Sequence, residues 1–391
     1  MSHAETALPP RLLAWTGMLL LGEVLVTLWF VAGTHGLFGA LDQPTTTDFA
    51  SFYAAGKLAL AGTPALAYDR VAHQAAEWAA TAPGVQYQFF FYPPVFLLLA
   101  APLSALPYLL AFAVFEVATL LLYLAALRPI VGRRDSSWLI PALAFPAVFW
   151  TFGLGQNAFL SAALFACGTR LIDRRPGVAG LVLGGLIYKP HLGLLIPVAL
   201  IAGRRWRAIA GAVAGTLGLV LLSAALFGWT AWAAFLHSFA GAHSTYENGR
   251  IELAGMVSVF AAARLLGVPA GSAYAVQAAV GLTAAAAVAL VWWRDSRLAV
   301  RAAALIAGTL LALPVLLLYD LMLLAVAGAW LLADMHERDD ARPAEWALLA
   351  VGFVIPLLCR ALGLALHVGV VPLVSAVVLA ACVRRSKLAL T

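Results

Sequence analysis

The sequence predicts an all-α polytopic membrane protein, and three observations carry that prediction. Apolar residues fill 63% of the 391 positions, against ~45–50% in an ordinary soluble domain. Asp, Glu, Lys and Arg together make only 11%, where a soluble domain carries ~25%. The apolar residues are gathered into runs suited to helices of ~20 residues, the length that crosses a hydrocarbon core. Runs such as LLLGEVLVTLWFVAG and GLVLLSAALFGW do not alternate apolar with polar positions, as the strands of an outer-membrane barrel would. A soluble globular enzyme and a β-barrel are both excluded.

Basic residues set the order of crossings. The net charge of +6 does not point to a nucleic-acid partner, because Lys and Arg sit in small clusters between apolar runs, the usual topology signal. The clusters are Arg128/Arg133/Arg134, Arg170/Arg174/Arg175, Arg204/Arg205/Arg207, Arg294/Arg297/Arg301, Arg338/Arg342 and Arg384/Arg385/Lys387. With Arg11 they hold 18 of the 24 basic residues. Placing all of them in the cytoplasm gives spans near 11–33, 107–127, 137–152, 155–172, 177–189, 190–203, 208–228, 271–293, 302–318, 321–334, 345–366 and 368–383. That is about twelve crossings with both termini inside. The first run lacks a small-residue cleavage site and reads as a retained helix. Tyr92–Leu106 and Leu253–Gly267 must not cross if this parity holds; Pro93, Pro94 and Pro102 suit a broken segment in the first. No internal repeat occurs, so residues 1–391 read as one transmembrane domain.

Two outer loops are long, 34–91 and 229–252. Within the first, TTTDFASFYAAGKLALAG reads as a helix with Asp48 at or near its N-cap and Gly62 just past its end. AYDRVAHQAAEWAATAPG reads as a second, stopped by Pro83-Gly84. Both are short and amphipathic, which predicts interfacial helices.

The uncommon polar residues fall on the outer face in this layout. Asp48 and Lys57 are in the first loop, Gln156-Asn157 in the turn GLGQNAF, Lys189 and His191 in IYKPHLG, and Tyr319-Asp320 in LLLYDLML. His237, His243, Glu247 and Arg250 are in the second loop. Each has a plain structural role open to it. Asp48 could only cap a helix, Gln156-Asn157 could satisfy backbone groups at a helix end, and Lys189 could reach to the headgroups. Arg360 lies inside an apolar run, where an unpaired cation costs at least ~2.5–3.5 kcal/mol. Glu23 and Glu116 lie within spans and are equally costly. Cys167, Cys359 and Cys382 show no CxxC spacing, and the histidines no HExxH, so neither a disulfide framework nor a metal site is indicated.

Four segments in order, TDFASFYAAGKLALAGTPALAYD, FYPPVFLLLAAPLSALPY, GQNAFLSAALF and KPHLGLLIPVALIAGRRWR, resemble glycosyltransferase family 87 over about residues 45–210. LPVLLLYDLMLL adds a further match. The family comprises bacterial GT-C membrane transferases, among them polyprenyl-phosphate-mannose-dependent α-1,2-mannosyltransferases. The resemblance implies a GT-C-like bundle in the bacterial inner (plasma) membrane, with its active site facing the periplasm or cell exterior. It also implies an aspartate in the first outer loop acting as base, which falls on Asp48. Tyr53, Lys57, Gln156, Asn157, Tyr319 and Asp320 are then expected to bind substrate.

The chemistry expected is transfer of a sugar from a polyprenyl-phosphate donor to a lipid or glycan acceptor. The departing phosphate leaves as an anion and needs no general acid, so one carboxylate suffices, where a glycosidase needs two. Cations near the bilayer surface would hold the phosphate: Lys189 and Arg360 first, then Arg264 and His191. Without a GxGxxG, Walker or DxD pattern, no nucleotide, cofactor or obligatory metal is expected. A transporter or flippase of a lipid-linked sugar is the alternative class, but such proteins usually show internal repeats around a midplane site.

Overall fold

The computed structural model describes residues 8–33, 39–40, 43–44, 48–132, 135–247 and 252–387, with the side chains of 30–44 and 239–247 excepted. Arg133, Arg134 and Arg250, and the side chains of His243 and Glu247, therefore lie outside what is described. Apart from one two-residue antiparallel pair, Gly39–Ala40 with Gln43–Pro44, the regular structure of the described residues is all helical. In chain order the helices are α1 (Pro10–Gly33), α2 (Phe49–Leu60), α3 (Arg70–Ala80), α4 (Leu97–Ser104), α5 (Tyr108–Val131), α6 (Leu139–Leu143), α7 (Pro146–Leu154), α8 (Ala158–Leu171) and α9 (Pro176–Gly184). They continue with α10 (Ile196–Ala202), α11 (Trp206–Glu247), α12 (Val259–Leu265), α13 (Ala270–Trp293), α14 (Leu298–Ala312), α15 (Met322–Arg338), α16 (Pro343–Leu366) and α17 (Val371–Lys387).

Among the described residues, six stretches are long and apolar enough to cross a membrane: Pro10–Trp29, Tyr108–Val131, Trp206–Ser238, Ala270–Trp293, Leu318–Arg338 and Pro343–Leu366. Other segments expected to cross are broken into shorter pieces. Pro146 opens α7 after the end of α6, and α9 passes into a 3₁₀ turn over Gly185–Tyr188. Pro94–Ser104 is an apolar helix of only ~16 Å at 1.5 Å per residue, about half the hydrocarbon thickness. The segment read as the second long outer loop is helical up to Glu247. It continues α11 beyond a bend at Gly228, whose φ of 79° and ψ of 157° only glycine adopts without strain.

Burial sorts the helices. Every residue from Ala299 to Leu311 of α14 is buried; apart from Arg301 and Thr309 the helix is apolar all round, and it packs among α13, α15 and α17. By contrast α1 leaves Trp15, Met18, Leu21, Leu25 and Leu28 exposed along its length, a surface suited to lipid.

The first-loop helices differ from the expected interfacial pair. Phe49–Gly56 of α2 are all buried, because FASFYAAG is apolar on every side and cannot present a polar face. Gly56 permits the close approach to α4, since a Cβ there would fall 2.2 Å from the Ala100 carbonyl oxygen. The helix α3 is the amphipathic one, burying His73 and Glu77.

A cluster of arginine–carboxylate pairs lies at one end of the bundle. Arg385 of α17 is 2% exposed and reaches Glu345 of α16 at 2.7 Å and Asp334 of α15 at 2.6 Å. Arg301 meets Asp173 at 2.5 Å, and Arg205 meets Asp295 at 2.7 Å. Asp173 follows the C-terminal end of α8, and Asp334 lies near that of α15. Gln156-Asn157 and Asp320 precede the N-terminal ends of the same two helices. The ionic end and the polar turns singled out in the sequence are therefore at opposite ends of α8 and of α15.

Candidate active site

At the end opposite that cluster, a cleft of about 160 Å³ is lined by Asp48, Gln156, Lys189, His191, Tyr319 and Asp320, among others. Asp48 stands at the N-cap of α2 but makes no side-chain cap hydrogen bond. Its Oδ2 instead accepts 2.6 Å from Gln156 Nε2. Its backbone N–H donates to the Leu154 carbonyl at 2.8 Å. Gln156 follows α7, whose end turns over through Gly155 in the left-handed conformation; that turn aims the amide at α2. Tyr92 donates 3.3 Å to Gln156 Oε1, so the amide is held from both sides. Burial raises the Asp48 carboxyl to about 6, with the Gln156 hydrogen bond and the Lys189 charge pulling the other way.

Lys189 and Asp320 form the second half of the cleft. Lys189 Nζ lies 2.5 Å from Asp320 Oδ1, with both side chains buried, and 4.9 Å from the centre of the Tyr319 ring. Asp320 Oδ2 accepts from the Leu317 N–H at 3.1 Å, which fixes the carboxylate at the start of a 3₁₀ turn leading into α15. His191 follows two residues after Lys189, in the 3₁₀ turn Pro190–Gly193. Asn157, expected to bind substrate, is fully buried and does not line the cleft.

The third wall was not found in the sequence. Residues 85–93 form neither helix nor strand between α3 and the Pro94 turn. Gln86, Tyr87, Gln88, Phe89 and Phe91 line the cleft from this strip, while Phe90 and Tyr92 are buried. Tyr188 also lines it, bonded to Ser161 at 2.6 Å. Gln86 and Gln88, polar residues set among aromatics in GVQYQFFFY, were the available signal, masked by the general richness in aromatic residues.

Besides Asn157, four expected site residues are not brought into the cleft. Tyr53 donates to the Leu106 carbonyl at 2.8 Å and packs within the α2–α4 contact. Lys57 is exposed, over the Tyr53 ring at 5.3 Å. Arg264 donates to the Val268 carbonyl at 2.8 Å, closing the end of α12. Arg360 is paired with Glu252, Nε to Oε2 at 2.8 Å, and both are over 40% exposed. That partner supplies the compensation the sequence left open.

The fold and the site together define a helical membrane protein with a polar cleft at one end of its bundle. Residues 90–319, more than half of the chain, match glycosyltransferase family 87. The chain belongs to that family, and is accordingly a membrane glycosyltransferase that uses a sugar donor and an acceptor. No curated protein and no solved structure matches it. The matched range takes in Gln156, Lys189 and Tyr319, with Asp320 next to its end and Asp48 ahead of it.

Proposed function

We propose that this enzyme transfers a sugar, mannose by the family resemblance, from a polyprenyl-phosphate donor to a hydroxyl of a lipid or glycan acceptor, with inversion. The observation that carries the reading is the Asp48 carboxylate, which leaves its own helix uncapped and faces the cleft. As the acceptor oxygen bonds to the anomeric carbon, its proton passes to Asp48. The bond from that carbon to the phosphate oxygen breaks, and the lipid phosphate leaves as the anion. A carboxyl raised to about 6 is still mostly ionised at neutral pH and more basic than a free aspartate, as a general base requires.

The cleft's charge supports a donor with a single phosphate. Lys189 is the one Lys or Arg among the described residues that line it, and Asp320 offsets part of its charge. Lys189 and His191 hold the phosphate, and Gln156 with Tyr319 and the Gln86–Phe91 strip contact the sugars. Arg360 and Arg264 lie off the cleft wall and join only if bound lipid extends past it.

The bundle is one GT-C-like domain over residues 1–391 with about twelve crossings in the bacterial plasma membrane. Its ionic end is cytoplasmic and its cleft faces the periplasm or exterior, as the basic clusters favour. Cysteines placed at Ser136 and Thr63 test this. Ser136 should label only from the cytoplasm and Thr63 only from outside, and the reverse pattern would invert the layout. The activity is tested with a radiolabelled polyprenyl-phosphate sugar and membrane extracts as acceptor. Label entering a product with inverted configuration supports the reading; label that crosses the membrane unchanged marks a transporter.

A further inference from the structure

Behind the cleft, two buried polar residues of α3 join two of its walls. His73 and Glu77 are 0% and 1% exposed. His73 Nε2 lies 3.0 Å from the Ser51 carbonyl oxygen; a carbonyl only accepts, so Nε2 carries the hydrogen. Ser51 N–H in turn donates to the Asp48 carbonyl at 3.1 Å, so His73 grips the turn that carries Asp48. The other ring nitrogen, Nδ1, faces Glu77 Oε1 at 3.6 Å. Glu77 Oε2 accepts from the Gln88 backbone N–H at 3.0 Å, in the middle of the strip that forms another wall.

We propose that His73 and Glu77 are a positioning pair that fixes the Asp48 turn against the Gln86–Phe91 strip and so sets the width of the cleft. Two features separate this from ordinary core packing. An i, i+4 pair facing a core is usually apolar, and burying two titratable side chains is costly unless they are bonded. Here each bond goes to the main chain of a different cleft wall, and none goes to α4, the helix most heavily packed against α2. Burial raises Glu77 to about 8 and lowers His73 to about 4. Both are therefore mainly neutral at pH 7, and the brace places no second full charge beside Asp48.

The inference rests on Asp48 being the base, and the experiment keeps the two apart. The purified protein in lipid nanodiscs is compared with His73→Leu, His73→Gln, Glu77→Leu and Glu77→Gln by hydrogen exchange and by kinetics. Each Leu variant should speed exchange in peptides covering both 48–52 and 85–92, by about tenfold or more, since the two walls open together. It should lower kcat by about tenfold or more with donor KM little changed, because a wall displaced by a fraction of an ångström misplaces the base. Each Gln variant keeps a donor at 73 or an acceptor at 77 and should restore most of both. If a Leu variant loosens one wall and leaves the other protected, the brace does not exist. If both walls loosen and kcat is native, or if only thermal stability falls, the positioning role is wrong. An active Asp48→Asn enzyme would remove the base while leaving the exchange result standing.

Discussion

Asp48 and Gln156, separated by 108 positions in the chain, are joined by a 2.6 Å hydrogen bond. This bond ties the start of α2 to the turn between α7 and α8. It also explains why α2 begins without the side-chain cap that its aspartate could provide. Asp69 shows the contrast. At the equivalent position of α3 its carboxylate accepts the Ala72 N–H at 2.9 Å, an ordinary N-cap.

Replacing Asp48 with Asn should leave the protein folded and able to bind donor, and lower kcat by ~10²–10⁴. Asp69→Asn should be nearly silent in turnover, because Asn caps a helix about as well as Asp. Turnover and melting temperature measured on both variants check this. Near-native turnover in Asp48→Asn would leave the mechanism without its base.

The raised Asp48 carboxyl has a pH signature in both rate and stability. The rate at low donor concentration should rise with pH and level off above about 6. A group raised on folding stabilises the protein below its unfolded value, 3.8, and loses that contribution as pH climbs through about 6. Ionised Asp48 is thus a cost at neutral pH and above. Asp48→Asn should consequently melt higher than the native enzyme at pH 8, with the gain vanishing near pH 4. A variant that melts lower at pH 8 would contradict this.

Lys189 and Asp320 should behave as a coupled pair. Lys189→Gln or Asp320→Asn alone leaves an uncompensated buried charge and should cost about 3–5 kcal/mol. The double variant should recover much of that stability. It should not recover donor binding, which needs the cation, and a donor KM restored in the double variant would take Lys189 out of the phosphate site.

Arg360→Gln tests whether the lipid donor extends beyond the cleft. Its pair with Glu252 is solvent-exposed, and such pairs contribute about 0–1 kcal/mol, so melting should barely change. If the phosphate is held within the cleft, donor KM should be within about twofold of native. A large rise would place the headgroup at the α16 edge instead.

Much of the site was legible because polar residues in short turns between apolar helices have few reasons to be there. Gln156, Lys189 and Asp320 were found that way. Tyr53 and Lys57 were carried by the same segment as Asp48, yet they fall about 140° and 180° round the helix axis from it at 100° per residue. Helix geometry therefore turns them away. Glu252, the partner of Arg360, lies 108 positions distant, and no local pattern links them. His73 and Glu77 looked like polar positions of an amphipathic helix, and only tertiary closure put them inside. The helix count was the least legible feature, because prolines and glycines divide apolar stretches that hydropathy alone reads as continuous.

The burial of α14 has a mechanical consequence. Asp320 opens the turn into α15, and α15 packs along α14, which is enclosed from Ala299 to Leu311. Close-packed interiors yield little, so the Lys189–Asp320 side of the cleft acts as a fixed jaw. The other jaw, the strip at residues 85–93, lies in no helix and is tied to α3 by the Glu77–Gln88 and Trp78–Val85 hydrogen bonds. Acceptors of different size can be accommodated only by that second jaw. Enzymes of altered acceptor choice should therefore arise from substitutions between residues 85 and 93, while the donor end stays unchanged.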